Sequence, residues 1–298
     1  MLDVRRLRLL RELARRGTIA AVAEAVSYTP SAISQQLSAL ERETGVTLLE
    51  RTGRRVTLTP AAHALVERTE VILAILEEAA ADLASTETVL TGTLRIGVFP
   101  TAVPTILTPA LVALSIEHPA LDLLVAELDP VAVPDALREE ALDVALVQEY
   151  DHVPFVPDPA LQTEPLMEET VHLAALTAGP LAARRTDRWI AGTPNTLCHA
   201  LTTRACEAAG FTPDIRHHAD DFRAVLALVG AGQGVAFVPD LGALSPPAAV
   251  VLTPLPIRRR THLAYRRGTQ SHPAVAAARR ALRDAAATVT QPMRRRAQ

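Results

Sequence analysis

The stretch 27–44, SYTPSAISQQLSALERET, restricts the fold more than any other part of the chain. Thr29 offers a capping hydroxyl, and Pro30 supplies a first helical residue whose missing N–H has no partner to lose. Ile33, Leu37 and Leu40 recur at i, i+4 and i+7, so a helix over Pro30–Thr44 turns them inward. The opposite face carries Ser31, Ser34, Gln35 and Ser38, where a merely solvated helix would carry Glu, Lys and Arg. Small hydroxyls and an amide suit hydrogen bonding to base edges and phosphates in a major groove.

The residues before it read as two shorter helices. Val4–Arg16 sets Leu7, Leu10, Leu13 and Ala14 on one face and stops at Gly17. Thr18 caps a helix over 19–26, where Ala21, Val22 and Ala25 allow close packing. Two helices joined by a tight turn, the second presenting a polar reading face, form a helix-turn-helix. A plain three-helix bundle satisfies the same burial pattern. After Gly45, two β-prone stretches flank Thr52-Gly53 as a small wing. Arg51, Arg54 and Arg55 at its tip are expected to clamp phosphates or enter a minor groove, the alternative being an ordinary charged turn.

Charge divides along the chain in the same sense. Residues 1–60 hold ten arginines against six acids, whereas the whole chain of 298 residues has a net charge of -3. A basic head on an acidic body suggests that the head alone meets a polyanion.

The run AAVAEAVSYTPSAISQQLSALERETGVTLLERTGRRVTLTPAA resembles the DNA-binding region of LysR-type transcriptional regulators. The resemblance rests on AISQQLSALE, GVTLLER, the Arg-rich wing and LTPA, in that order and without gaps. Ala62 stands where the family usually has Gly. The resemblance implies base contacts from Thr29, Pro30, Ser31, Ser34 and Gln35. Many relatives carry Arg at the position of Gln35, so a preferred DNA sequence does not transfer.

Residues 61–90 form the connector. Leu65, Thr69, Ile72, Leu76, Ala79 and Leu83 alternate spacings of four and three, a heptad seam that wants a partner helix. Dimerisation through Leu65, Ile72, Leu76 and Leu83 is therefore expected, with packing on the chain's own domain as the alternative. The resemblance implies a linker helix that pairs two subunits into a homo-oligomer, dimer or tetramer.

From 91 to 298, apolar strand-like runs alternate with helical stretches, which implies parallel sheets. Strands are expected at 93–98, 121–127, 143–147, 171–176, near 215, and at 234–238 and 261–265. Helices are expected at 103–117, 133–141, 196–209, 222–231 and 273–289. The expected fold is α/β with an all-α winged helix-turn-helix head, a linker helix and two Rossmann-like lobes of the periplasmic-binding-protein type. Lobe I takes about 91–165 and 268–298, lobe II about 166–267.

Ligands in such folds sit beyond the carboxyl ends of strands, beside helix N-termini. Four clusters fit: Pro100-Thr101-Ala102, Asp129, Asn195-Thr196 and Asp221-Phe222. Plain helix capping explains the same residue types. The resemblance adds that Thr101, Asn195 and Thr196 match positions that commonly contact effectors in relatives.

Other chemistry is absent from the sequence. There is no GxSxG elbow, Walker loop or HExxH, so no enzyme is expected. The Gly230–Gly234 region precedes a strand rather than following one, and is a helix-to-strand turn. Cys198 and Cys206 lie where a peroxide-sensing member of the family keeps its redox pair. Eight residues apart on one helix they would be about 12 Å distant, so they read as structural. Thiol-based redox response is the alternative function, followed by a solute-binding or enzymatic α/β protein. No metal and no cofactor are expected beyond an unknown small-molecule effector. Arg258-Arg259-Arg260 reads as a solvated edge. The first sixteen residues scatter charges and hold no signal-like apolar stretch, and no run of about 18 apolar residues occurs. A cytoplasmic protein is expected, with double-stranded DNA, an effector and RNA polymerase as partners and no membrane.

Overall fold

The computed structural model describes residues 1–52, 55–86 and 89–296. The chain divides into two compact units, Met1–Ala79 and Ala80–Gln298.

The first unit holds α1 (Val4–Arg16), α2 (Ile19–Ala25), α3 (Pro30–Thr44) and the hairpin β1 (Leu49–Thr52) and β2 (Arg55–Leu58). Local chemistry sets each boundary. The Asp3, Thr18 and Thr29 side chains accept the backbone N–H of Arg5, Ala21 and Ala32, while Gly17 and Gly45 end α1 and α3 at φ 74° and 68°. The core gathers Leu7, Leu10, Leu13, Val22, Ile33, Leu37, Leu40 and Leu48. Each such side chain contributes about 1.5–3 kcal/mol on burial, which outweighs the weak helix propensity of the short α2.

Helix α4 (Pro60–Ala84) has 25 residues, so it runs about 37 Å. Its Ala62 is fully buried in the core of the first unit, with Leu65, Val66 and Ile72 packed against it. Arg11 of α1 approaches Glu70 at 3.8 Å.

The second unit continues through β3 (Gly92–Val98), α5 (Thr108–Glu117), β4 (Leu121–Glu127), α6 (Val133–Arg138), β5 (Val144–Tyr150) and β6 (Leu161–Ala175). It then adds β7 (Arg188–Ala191), α7 (Leu197–Ala208), β8 (Asp214–His218), α8 (Phe222–Gly230), β9 (Ala236–Pro239), β10 (Val251–Arg266) and α9 (Pro273–Arg296). A six-stranded sheet has the order β4-β3-β5-β10-β6-β9. The β4-β3-β5 portion is parallel, as the alternation of strands and helices predicts, whereas β10 is antiparallel to both β5 and β6. β7 and β8 form a parallel pair of their own. Helix α9 returns the chain to the first lobe, where Val275, Ala278 and Leu282 pack with Ile96, Val98 and Ile106. Trp189 centres the second lobe, its ring tilted against those of Phe211 and Phe237.

The two longest strands depart from the sequence expectation. β6 begins ten residues before the expected 171, and β10 covers 16 residues rather than five. Both serve both lobes: Gln162 pairs with Tyr265 at one end and Ala175 with Val251 at the other. Their inward positions alternate Met167, Glu169, Val171 and Leu255, Ile257, Arg259, Thr261, Leu263. Arg259 is thus no solvated edge, since its side chain is 1% exposed. The stretch Pro100–Glu117 is apolar on average although Thr101, Thr105, Thr108, Ser115 and Glu117 interrupt it. It has the length and apolarity of a membrane crossing, the single such stretch among the described residues. Here its Ala102, Ile106, Leu107, Ala110 and Leu114 fill the first lobe's core.

Candidate DNA-binding face and effector cleft

Helix α3 sorts its side chains as the periodicity requires. Ile33, Leu37 and Leu40 are buried, while Thr29, Pro30, Ser31 and Gln35 are exposed and Ser34 and Ser38 half-buried. Thr29 is committed to the helix cap and shares a 3.1 Å hydrogen bond with Ser31. Gln36 is held by Arg6 Nε at 3.0 Å, which ties α3 to α1. The side chains of Ser34, Gln35 and Ser38 have no hydrogen-bond partner among the described residues. They are donors and acceptors left facing outward. Arg54 lies outside the described residues, as do the side chains of Arg51 and Arg55.

The heptad seam of α4 splits. Leu65 and Ile72 turn half-buried onto their own head's core, and Thr69 is fully buried, its hydroxyl donating to the Leu65 carbonyl at 2.8 Å. Through these positions the first three to four turns of α4 complete the head's core. Leu76 and Leu83 remain exposed, Leu83 by 74%. Ala79 of the seam is exposed as well, and Val71 and Ile75, which the strict seam passed over, continue the exposed apolar stripe at spacings of four.

In the second unit a cleft of about 270 Å³ opens at the carboxyl ends of β3 and β4, facing the N-termini of α7 and α8. Pro100, Thr101, Asp129, Thr196 and Phe222 line it, as the strand-end rule predicts. Three expected residues do not. Ala102 is fully buried, turned into the lobe core. Asn195 is an exposed turn residue at φ 72°, a conformation that its short amide side chain tolerates. Asp221 caps α8 through the Arg223 N–H at 2.8 Å and lines only the wider adjoining cavity of about 570 Å³.

The floor is a buried network that residue patterning missed. Arg259 Nε and Nη2 both lie 2.6 Å from one Glu169 oxygen. Nη2 also donates to Thr101 Oγ1 at 3.2 Å and Nη1 to Tyr150 Oη at 3.5 Å, with the guanidinium over the Phe99 ring. The second Glu169 oxygen accepts the Leu241 N–H at 2.7 Å. Burial pushes the Glu169 carboxyl above its usual range, with the arginine charge opposing that shift. One signal for this pair lay in the sequence. Arg259 and Glu169 occupy inward positions of period-two strands whose other inward residues are apolar apart from Thr261.

Burial also raises Asp129, whose carboxylate accepts the N–H of Val131 and of Leu197 and faces the charge of Asp220. Cys198 lines the cleft 3.8 Å from Tyr150 Oη. Burial lifts its thiol above the ordinary value, and it pushes Cys206, buried in the second lobe's core, up to about 12.

Comparison with known proteins places this geometry. Residues 4–63 match the model of the bacterial regulatory helix-turn-helix protein of the lysR family. Residues 87–287 match the LysR substrate binding domain. The chain belongs to the LysR family of transcriptional regulators. It is 34% identical over 179 residues to the probable hydrogen peroxide-inducible genes activator of Mycobacterium xenopi, covering 60% of this chain and 92% of that protein. It is 27% identical over 252 residues to the transcriptional dual regulator GltC of Bacillus subtilis, covering 80% and 81%. The OxyR C206 mutant of Corynebacterium glutamicum shares the fold at a TM-score of 0.54 and 24% identity, over 98% of this chain and 95% of that one. The cysteines of this LysR regulator sit two turns apart within the continuous helix α7.

Proposed function

We propose that this LysR regulator reads DNA through the α3 face, assembles through the exposed stripe of α4 and is switched by a small molecule in the cleft. The outward, unpartnered Ser34, Gln35 and Ser38 carry the reading. Exposed polar groups on the second helix of a helix-turn-helix suit base edges, and Thr29, Pro30 and Ser31 at its N-terminus suit phosphates. Arg51, Arg54 and Arg55 add phosphate contacts from the wing. Pairing through Val71, Ile75, Leu76, Ala79 and Leu83 gives a homo-oligomer that presents two heads to two half-sites.

The effector contacts Pro100, Thr101, Asp129, Thr196 and Phe222. Because Thr101 is bonded to Arg259, a ligand touching it acts on the strands that serve both lobes. Binding that favours one lobe arrangement shifts the population and alters the heads' fit to DNA. RNA polymerase is then the partner that registers the change. Fluorescence anisotropy with the DNA upstream of its own gene tests the reading. Binding should select that sequence over scrambled duplex and weaken steeply with salt. Equal affinity for both duplexes refutes it.

A disulfide switch is the second reading, favoured by Cys198 lining the cleft. The raised Cys206 thiol and the intact α7 speak for the ligand reading instead.

A further inference from the structure

The charge balance of the cleft is one-sided. Glu127, Asp129 and Asp220 line it. Arg259 is the one cationic side chain lining it among the described residues, and Glu169 neutralises it from behind. Asp220 accepts the Thr193 N–H at 2.8 Å and the Thr193 hydroxyl at 2.6 Å, neutral donors that leave its charge in place. Glu127 is exposed and has no ion pair among the described residues.

An anionic ligand finds few donors here. The N-terminus of α7 is taken by Thr196, which accepts the His199 N–H, and by Asp129, which accepts the Leu197 N–H. That of α8 is taken by Asp221. Anions bind helix N-termini through free N–H groups, and the protein's own oxygens already take part of both first turns.

A second, independent observation is Gln148 on β5. It is 7% exposed and lines the cleft, and its amide has no hydrogen-bond partner among the described residues. The amide faces the cleft, so a ligand that meets its N–H and C=O gains hydrogen bonds there.

We infer that the effector is a small organic cation, an amine or guanidine whose N–H groups are received by the Glu127, Asp129 and Asp220 carboxylates and the Gln148 carbonyl oxygen. This rests on the reading of the cleft as the effector site. Three protonated N–H bonds of an ammonium, or five of a guanidinium, match an acceptor-rich wall. Phe222 supplies an aromatic surface at the same wall.

The test uses the full chain in thermal-shift and calorimetric titrations with putrescine, arginine and succinate at matched ionic strength. At least one cation should bind and raise Tm, and succinate should not. Glu127→Gln should weaken that cation about tenfold or more, the change expected for about 1.4 kcal/mol. Gln148→Leu separates the roles. It should leave the ligand-free Tm unchanged or higher, because no internal bond is lost, yet weaken cation binding. Stabilisation by succinate alone overturns the inference while keeping the cleft as an effector site. Failure of both cations to bind overturns it, as does binding that neither substitution changes. A cation bound in the cleft without effect on DNA binding upholds the ligand class and refutes the effector role.

Discussion

Arg259→Met and Glu169→Gln break the same buried ion pair from opposite ends, and their stability losses should respond differently to pH. The pair is 1% and 0% exposed, so neither group can turn to water when its partner is removed. In Arg259→Met the remaining carboxyl can escape its charge by taking a proton. Holding a glutamate of ordinary pKa near 4.3 neutral costs about 3.7 kcal/mol at pH 7 and about 1 kcal/mol at pH 5. The sign follows from linkage. With its folded pKa raised far above the unfolded value, Glu169 binds a proton in the native state that the unfolded chain has already released. Stability therefore falls as pH rises from 5 to 7.

In Glu169→Gln the guanidinium keeps its charge throughout that range, because arginine does not deprotonate. Its loss should be about 3–5 kcal/mol and flat with pH. Urea unfolding followed by Trp189, the single tryptophan and fully buried in the second lobe, measures both variants against the parent chain at pH 5 and 7. Equal losses for Arg259→Met at the two pH values would refute the reasoning. The double variant Arg259→Met/Glu169→Leu should recover most of the loss, since a well-packed apolar replacement of a buried pair is often neutral.

Further outcomes are expected on the DNA face, the α4 stripe and the cysteines. Ser34→Glu should lower DNA affinity by tenfold or more, measured by anisotropy, with stability within about 0.5 kcal/mol of the parent, as for a surface change; Gln35→Ala should relax sequence preference by about 1–3 kcal/mol. Ile75→Glu/Leu83→Glu should reduce the oligomer in light scattering while the isolated head's fold persists in circular dichroism; an unchanged mass excludes the α4 stripe as the interface. Maleimide labelling at pH 8 should leave Cys206 unmodified, because its thiol, pushed up to about 12, is almost wholly protonated there. Labelling should rise only as pH climbs toward that value, and mild peroxide should form no Cys198–Cys206 disulfide in intact-mass measurement.

The head was legible because its signals are local. Asp3, Thr18, Thr29, Gly17 and Gly45 cap the helices whose bounds they mark, within four residues of the groups they bind. The strands β6 and β10 were not, since Glu169 and Arg259 interrupt the apolar alternation. Their compatibility appears only across a pair 90 residues apart in sequence. The arginine triplet read as surface for the same reason: period two sends Arg258 and Arg260 outward and Arg259 in. The heptad seam left open that Leu65 and Ile72 pack partly on their own head, because a periodic stripe does not say which surface will cover it. The strand-end rule located the cleft, yet it could not separate Thr101, which lines it, from Ala102, which turns into the core. Gln148 carried no sequence signal, standing beside Glu149 at the end of the strand VALVQEY.

Because β6 and β10 lie side by side as interior strands of the sheet, each lobe draws part of its backbone bonding from a strand that also serves the other. Excision at 166 or 267 would strip a lobe of an interior strand and leave apolar edges bare. The body should therefore unfold as one cooperative block. Rotation of one lobe against the other must twist a hydrogen-bonded ribbon instead of swinging on a slack tether, which favours small angular excursions over wide opening.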